Sequence, residues 1–169
     1  MKQLRTLLLA AIFTIGLSGV VNAQKIAHIN TDKLLSEMPE TKALQSELEK
    51  LRTTYKSDIE GMFKKLEAKV KKYEAEGQSQ TQQVNQQRAI EVQQDRAKIA
   101  QAEQTMQQDM AKRYQEKTLP ILKKAQEAIK SVADSKGIIY VLDAAPGKGL
   151  IVFDKGEDIF SAVKAKLGF

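Results

Sequence analysis

The sequence predicts a mainly α protein with a small β body, in which a long antiparallel helical hairpin projects from an α+β domain. Between residues 40 and 136, apolar side chains recur at helical spacing with one interruption, near 77–87. Short segments rich in β-branched and aromatic residues lie on either side of this helical part, at 25–30 and 137–154. Because two antiparallel helices return the chain to its starting point, we expect these segments to meet in one body.

The first 23 residues have the pattern of a secretory signal peptide. Lys2 and Arg5 precede an apolar stretch at 7–21, and the small residues Val21 and Ala23 stand at the −3 and −1 positions of a cleavage site. The apolar stretch is shorter than the roughly 20 residues that cross a bilayer. We therefore expect cleavage after Ala23 and export of a soluble protein.

Composition argues against several classes of function. The chain has one His and no Cys, and its PGKG segment lacks the spacing of a phosphate-binding loop, so neither an enzyme nor a cofactor is expected. His28 is interpreted as a surface or packed residue of a strand, since a metal site needs further ligands. The net charge of +6 falls to +4 without Lys2 and Arg5. Its two signs are interleaved, which disfavours nucleic acid and suits acidic clients or electrostatic contact with an anionic membrane surface.

The first region of the exported chain reads as a strand, a helical turn and the start of a long helix. KIAHIN, at 25–30, favours a strand, and Asn30 or Thr31 can cap the turn that DKLLSEM makes. Pro39 is tolerated in the first turn of a helix, where its missing N–H would have no partner. We assign 24–40 together with 118–169 to the body.

The first long helix is predicted from residue 40 to about 76. Its apolar positions follow steps of four, three and four residues, an eleven-residue repeat that predicts a nearly straight helix. These positions are Leu44, Leu48, Leu51, Tyr55, Ile59, Met62, Leu66, Val70 and Tyr73.

The second long helix is predicted to follow a turn near 77–87 and to continue to about Lys136. Its apolar stripe is rich near the body and thin near the turn, so 41–117 is assigned to an arm whose Gln-rich segment 78–101 is the far end. Pro120 is expected to kink this helix rather than break it, because the spacing continues through it. The predicted stripe is Val92, Arg96, Ile99, Glu103, Met106, Met110, Tyr114, Lys117, Ile121, Ala125, Ala128 and Val132.

The last region switches to the pattern of strands. GIIYVLD at 137–143 and GLIVFD at 149–154 predict two strands joined by AAPGKG as a hairpin loop, and Asp154 with Glu157 predicts a capping box for a helix over 157–167. A body this small is marginal on its own, which predicts oligomerisation. The candidate interface residues are Ile26, Ile29, Ile138, Tyr140, Leu142, Ile151 and Phe153.

Together these features resemble the Skp/OmpH family of periplasmic chaperones. The resemblance is carried by KIAHIN with its short helix and Pro39, by the long polar hairpin, and by the run IKSVADSKGIIYVLDAAPGKGLIVFDKGEDIF. It implies a periplasmic homotrimer whose bodies join through β-structure and whose arms enclose a cavity. It also implies an ATP-independent holdase that keeps unfolded outer-membrane β-barrel proteins from aggregating before membrane insertion.

Four arm residues are candidates for contact with clients: Met62, Phe63, Met106 and Met110. The flexible thioether of Met adapts to varied surfaces, although ordinary packing between the two helices is the alternative for each Met. Phe63 lies one position off the apolar stripe and is expected to point away from the partner helix. Two other functions remain open, a structural coiled-coil hairpin or adaptor of the cell envelope and a binder of lipid surfaces.

Overall fold

The computed structural model describes residues 25–148, 151, 153 and 155–169, so the predicted signal peptide lies outside the described residues. The elements are β1 (Lys25–Ile29), α1 (Thr31–Glu37), α2 (Pro39–Glu76), α3 (Gln82–Lys136), β2 (Ile138–Asp143), β3 (Glu157–Asp158) and α4 (Phe160–Leu167). A 3₁₀ turn at Gly77–Ser79 follows α2. The predicted fold class is confirmed, a mainly α chain with a small sheet.

Local chemistry explains where the helices begin and end. The Asn30 side chain accepts a hydrogen bond from the Lys33 N–H at 2.8 Å and caps α1, one of the two caps predicted. Pro39 occupies the first turn of α2, where its ring is tolerated. Thr81 caps α3 through its side-chain oxygen, and Gly137 ends α3 in the left-handed conformation. The Asn30 cap and the place of Pro39 were predicted from the sequence, whereas the Thr81 cap was not.

The two long helices pack antiparallel with one register along their whole length. In six of the inter-helix polar pairs the two residue numbers, for example 55 and 109, total 164. Pairs with this total lie on both sides of Pro120, between Lys117 and Glu47 and between Lys124 and Glu40. The helix is continuous through Pro120, so a break at this position is excluded. At about 1.5 Å per residue, α2 is about 57 Å long and α3 about 82 Å.

The sheet has the order β2-β1-β3, and both neighbours run parallel to β1. Lys25 lies opposite Ile138, which shows that the helical hairpin returns the chain to the start of β1. Ile26 then pairs with Tyr140 and His28 with Leu142, after an irregularity between Lys25 and Ile26. The expectation that distant strand segments meet in one body is confirmed.

The predicted β-hairpin over 137–154 is wrong. Residues 151 and 153 are not in a strand, and β2 and β3 each pair with β1 instead of with one another. Asp143 ends β2, because its carboxylate accepts hydrogen bonds from the Thr31 hydroxyl at 2.7 Å and from the Ala145 N–H at 3.0 Å. These bonds tie the chain to the end of β1, so β1 takes the central position.

The last helix begins three residues later than predicted. Glu157 and Asp158 form β3, and the Asp158 carboxylate accepts a hydrogen bond from the Phe160 N–H at 2.8 Å at the start of α4. Glu157 also pairs with Lys136 at 2.6 Å. Asp154, the other half of the predicted capping box, lies outside the described residues.

The core lies at the body end of the molecule, where α1, α3, α4 and the sheet meet. Its most deeply buried side chains are Ile29, Leu34, Met38, Ile159 and Val163. On α3, the buried positions repeat at helical spacing toward the body, at Ile121, Ala125, Ala128 and Val132. None of the helices in the described part combines the length and apolar character that a membrane crossing requires.

Candidate functional site

The facing surfaces of α2 and α3 between residues 41 and 117, here called the arm, contain few buried side chains. On α2 every residue of the predicted stripe is buried or half-buried, as expected. On α3 the predicted stripe is wrong at Arg96, Glu103, Tyr114 and Lys117, which are exposed. The half-buried positions there are instead Asp95, Ala102, Asp109 and Arg113, together with Met106 and Met110. Polar residues occupy inner positions because they have partners across the arm.

Tyr55 and Asp109 form one of these polar contacts in the middle of the arm. The Tyr55 hydroxyl donates to the Asp109 carboxylate at 3.0 Å, and Arg113 donates to the same oxygen at 3.0 Å. The bond from Arg113, followed by that from Tyr55, lowers the pKa of the Asp109 carboxyl. The same contact raises the pKa of the Tyr55 hydroxyl. At neutral pH a carboxylate therefore joins α2 to α3 where an apolar pair would be expected.

Nearer the turn, Asp95 pairs with Lys69 across the arm and with Lys98 on its own helix. The bond from Lys69, followed by that from Lys98, lowers the pKa of Asp95. The Tyr73 hydroxyl donates to Glu91 at 2.6 Å, which raises the pKa of Tyr73. Beside the turn, Arg88 pairs with Glu76 and lies over the Tyr73 ring, 4.5 Å from its centroid. These contacts maintain the pairing register of α2 and α3 as far as the tip of the arm.

The inter-helix ion pairs of the arm lie on one side of the helical hairpin. On α2 their members are Glu40, Glu47, Lys69 and Glu76, whose spacings of 7, 22 and 7 residues are close to whole turns. Met62, Lys65, Asp95 and Lys98 line a groove on this side. We call it the ion-pair side.

The opposite side of the arm has a different character, and we call it the apolar side. On α2 it contains Phe63 and Val70, seven residues apart and so nearly aligned along the helix. On α3 it contains Val92, Arg96, Met110 and Tyr114, at spacings of 4, 14 and 4 residues. Near the tip a groove of about 450 Å³ is lined by residues that include Val70, Ala89, Val92 and Arg96.

The four sequence-predicted client residues are distributed unevenly. Phe63 is 49% exposed, so it does point away from the partner helix. Met62, Met106 and Met110 are half-buried, and Met62 lines the groove of the ion-pair side. Sequence reasoning missed Tyr114, which is 59% exposed, because its four-residue spacing from Met110 placed it in the inter-helix stripe. The constant register of the hairpin would have identified it, since Asp109 and not Met110 lies opposite Tyr55.

The outer face of the sheet exposes a second apolar surface. Ile26 is 48% exposed and Tyr140 62%, and the two lie opposite one another on β1 and β2, with Leu142 two residues further along β2. His28 is half-buried in the same face. Phe153 is exposed and Ile151 half-buried.

Ile29 and Ile138 were predicted to lie in the interface, but the structure places both in the core of the chain. Both side chains are buried in the core of the chain, because strand alternation turns Ile29 inward and Ile138 packs with it. In the described part of the chain, no three acidic or His side chains are grouped as metal ligands would be.

Comparison with known proteins identifies the family. The model of the family described as "Outer membrane protein (OmpH-like)" matches residues 25–167. The chain belongs to the OmpH-like family. This match spans the sheet, both long helices and α4, so the resemblance stated from the sequence is confirmed, and so is the chaperone function that it implied.

Relatives in the OmpH-like family agree with this. The chain is 31% identical over 144 residues to a protein named "Chaperone protein Skp" from Photorhabdus laumondii, covering 83% of this chain and 87% of the relative. A protein of the same name from Yersinia enterocolitica is 28% identical over 127 residues, covering 75% and 77%. A solved OmpH-like protein from Caulobacter crescentus has the same fold, with a TM-score of 0.76 at 17% identity and coverage of 85% and 83%.

Proposed function

We propose that this protein is a periplasmic, ATP-independent holdase that binds unfolded outer-membrane β-barrel proteins between helical arms and prevents their aggregation. Residues 24–40 and 118–169 form the oligomerisation body, and 41–117 form the arm. Binding of this kind needs contacts but no chemical step and no cofactor. Export follows from the predicted signal peptide at 1–23.

The observation that carries this function is an arm that exposes apolar side chains at its surface and fully buries very few in its interior. Within the arm, only Leu44, Ile59 and Ile99 are buried. Phe63 and Tyr114, by contrast, are about half exposed. A surface of this kind offers an unfolded chain many weak apolar contacts, each of which is released easily. The relatives named "Chaperone protein Skp" support a chaperone function, and the resemblance to the Skp/OmpH family supports the choice of client.

The outer face of the sheet is the proposed interface between three copies of the chain. Ile26, Tyr140 and Leu142 form a contiguous apolar surface on two adjacent strands, and a second copy would remove it from water. The resemblance to the Skp/OmpH family supports three copies.

The first test is the native mass of the exported protein, alone and after a urea-unfolded outer-membrane β-barrel protein is diluted into it. We expect a trimer that gains the mass of one client and leaves no precipitate. A trimer whose native mass does not change when the client is added would contradict the holdase function and favour a structural role. A stable monomer would contradict the proposal that the arms of several copies enclose a cavity.

The interface is tested by placing the same charge on the outer face of the sheet and on the arm. Tyr140→Glu should lower the native mass, because it places a carboxylate in the proposed interface. Ile90→Glu is the matched control, since Ile90 is 51% exposed but lies on α3, away from the sheet. Equal native masses for both variants would remove the outer face from the interface.

A further inference from the structure

The two sides of the arm differ in whether their charged side chains already have partners. On the ion-pair side, cations and carboxylates are bonded to one another across the helices. On the apolar side, Arg52 lies three turns before Phe63, and Arg96 lies one turn after Val92. Within the described residues, neither of these two arginines has an ion-pair partner. Two arginines without ion-pair partners and the exposed aromatic rings are therefore on the same side.

The apolar side is continuous from the tip toward the body. Its groove near the tip is lined by the apolar side chains of Val70, Ala89 and Val92 together with polar and charged ones that include Glu74 and Arg96. Phe63 follows about 10 Å further along α2, and Met110 and Tyr114 lie beyond it on α3. The surface is long and narrow, and it alternates apolar groups with cations.

We propose that the client polypeptide is held on the apolar side of the arm, and that the segments it fits are extended stretches bearing both aromatic and carboxylate side chains. The inference rests on the proposed holdase function and specifies which surface performs it. Exposed rings such as Phe63 and Tyr114 pack against aromatic side chains of a client. Arg52 and Arg96 pair with its carboxylates and stack on its rings.

Charge complementarity argues for this occupant. Without Lys2 and Arg5 the exported chain carries a net charge of +4, so acidic segments of a client are attracted to it from a distance. At Lys69 and Lys117 of the ion-pair side, an arriving carboxylate would have to displace one that is already bonded. Client binding on the apolar side leaves the contacts that hold the arm together intact.

The test compares two double variants whose truncated side chains are equally exposed but lie on different surfaces. Phe63→Ala with Tyr114→Ala removes the rings of the apolar side, which are 49% and 59% exposed. Ile90→Ala with Leu119→Ala removes side chains that are 51% and 61% exposed on the surface of α3 that faces away from α2. Client affinity is measured by titrating a urea-unfolded, fluorescently labelled outer-membrane β-barrel protein, diluted into buffer, with each exported variant.

The expected result is a loss of affinity of at least about tenfold for the Phe63/Tyr114 variant and of less than about twofold for the Ile90/Leu119 variant. Equal losses, or no loss in either variant, would overturn the inference while leaving the holdase function in place. Failure of the unmodified protein to bind the client would instead overturn the holdase function itself.

The same variants also test two other occupants of the apolar side, a neighbouring copy of the chain and a membrane surface. If the Phe63/Tyr114 variant loses native mass at neutral pH, the surface is a contact between arms of neighbouring copies and the inference is wrong. If it keeps its client affinity but no longer sediments with phosphatidylglycerol vesicles, the surface binds membrane and the inference is also wrong.

A photo-crosslinking measurement keeps the inference testable if a double variant does not fold. Benzoylphenylalanine at position 63 should crosslink to the client, and the same group at position 90 should not. Arg96→Gln tests the charged part, since it should weaken binding at low salt and match the unmodified protein at high salt. Crosslinks of equal yield at both positions, or an unchanged affinity of Arg96→Gln at low salt, would contradict the proposed contacts.

Discussion

At the scale of single residues, polar side chains take the places that apolar pairs would occupy in an ordinary helical hairpin. Asp109 and Asp95 lie on the inner surface of α3 and accept hydrogen bonds from Tyr55 and Lys69 of α2. A pair of this kind fixes the register, since a shift by one residue would leave both partners unmatched. It also keeps the arm polar when no client is bound.

These carboxylates make the stability of the arm depend on pH. The pKa of Asp109 is lowered in the folded protein, so its contribution is present above the ordinary pKa of about 4 and is lost as the pH falls through the lowered value. We expect Asp109→Asn to lower the melting temperature at pH 7, and the difference from the unmodified protein to vanish at pH 2. Circular dichroism measures both.

Asp58→Asn is the control for this pH dependence, because Asp58 is an exposed residue of the same arm and has no ion pair in the described part of the chain. Its melting temperature should equal that of the unmodified protein at both pH values. A melting difference for Asp109→Asn that stayed constant from pH 7 to 2 would show that the carboxylate charge is not its cause.

Two glycines should respond in opposite directions to the same substitution. Gly137 ends α3 at φ 65°, so Gly137→Ala should cost about 1–2 kcal/mol in the free energy of unfolding. Gly61 lies inside α2, and an added methyl group there meets no atom within 4 Å. Gly61→Ala should therefore gain up to about 1 kcal/mol. Urea titration measures both, and a loss at Gly61 would mean that this position contacts something besides its own chain.

At the scale of elements, α3 is one helix where the sequence left two possibilities. Pro120 cannot donate a hydrogen bond to the Glu116 carbonyl, yet the pairs on either side of it keep the same register. Packing of Leu44 and Ile121 against one another holds the helix together at this point, beside a groove of about 350 Å³ that Pro120 also lines.

Replacing Pro120 should make α3 more stable. Pro120→Ala restores the missing donor and should raise the free energy of unfolding by about 1–3 kcal/mol, reduced by whatever apolar contact the ring makes in the groove. Pro39→Ala is the matched control, because Pro39 lies in the first turn of α2 and should change stability little. Urea titration compares the two variants. A loss of stability at Pro120 would show that the ring has a packing role larger than its backbone cost.

At the scale of the whole molecule, burial is concentrated at one end. Ile121, Ala125, Ala128 and Val132 are buried at the body end of α3, whereas 77–98 contains no buried side chain. The arm should therefore open from its tip at a low free-energy cost, which would let one cavity accept clients of different sizes.

Amide hydrogen exchange tests this gradient directly. We expect exchange to be fast over 78–101, and slow over 121–132, where opening requires the core to separate. From residue 82 onward the two segments belong to the same helix, so packing decides the result. Equally slow exchange in both would contradict a mobile tip.

Much of this architecture could be predicted from the sequence, because its signals are local. Helical spacing predicted both long helices, Asn30 marked the start of α1, Gly137 marked the end of α3, and the polar interruption near residue 80 predicted the turn. The outward position of Phe63 followed from its place beside the stripe. The membership of the OmpH-like family was visible in the order of these elements.

Other features could not be predicted, because they depend on what lies opposite each residue. The spacing of Met110 and Tyr114 is as helical as that of Asp109 and Arg113, and only Tyr55 on the other helix decides which pair faces inward. The segments 137–143 and 149–154 have the composition of a hairpin, yet β1 lies between β2 and β3. Ile29 and Ile138 are as apolar as Ile26 but belong to the core.

The sequence by itself therefore determined where the helices and strands of this protein form, and the tertiary structure decided which face of each one is buried and which is exposed. Helix and strand formation depend on neighbours along the chain, within about one turn or two residues, and those neighbours can be read directly. Which side of the arm forms ion pairs between the helices, and which side is exposed to clients, depends on contacts between residues as far apart in the sequence as Glu40 and Lys124. Such contacts exist only once the two helices have packed.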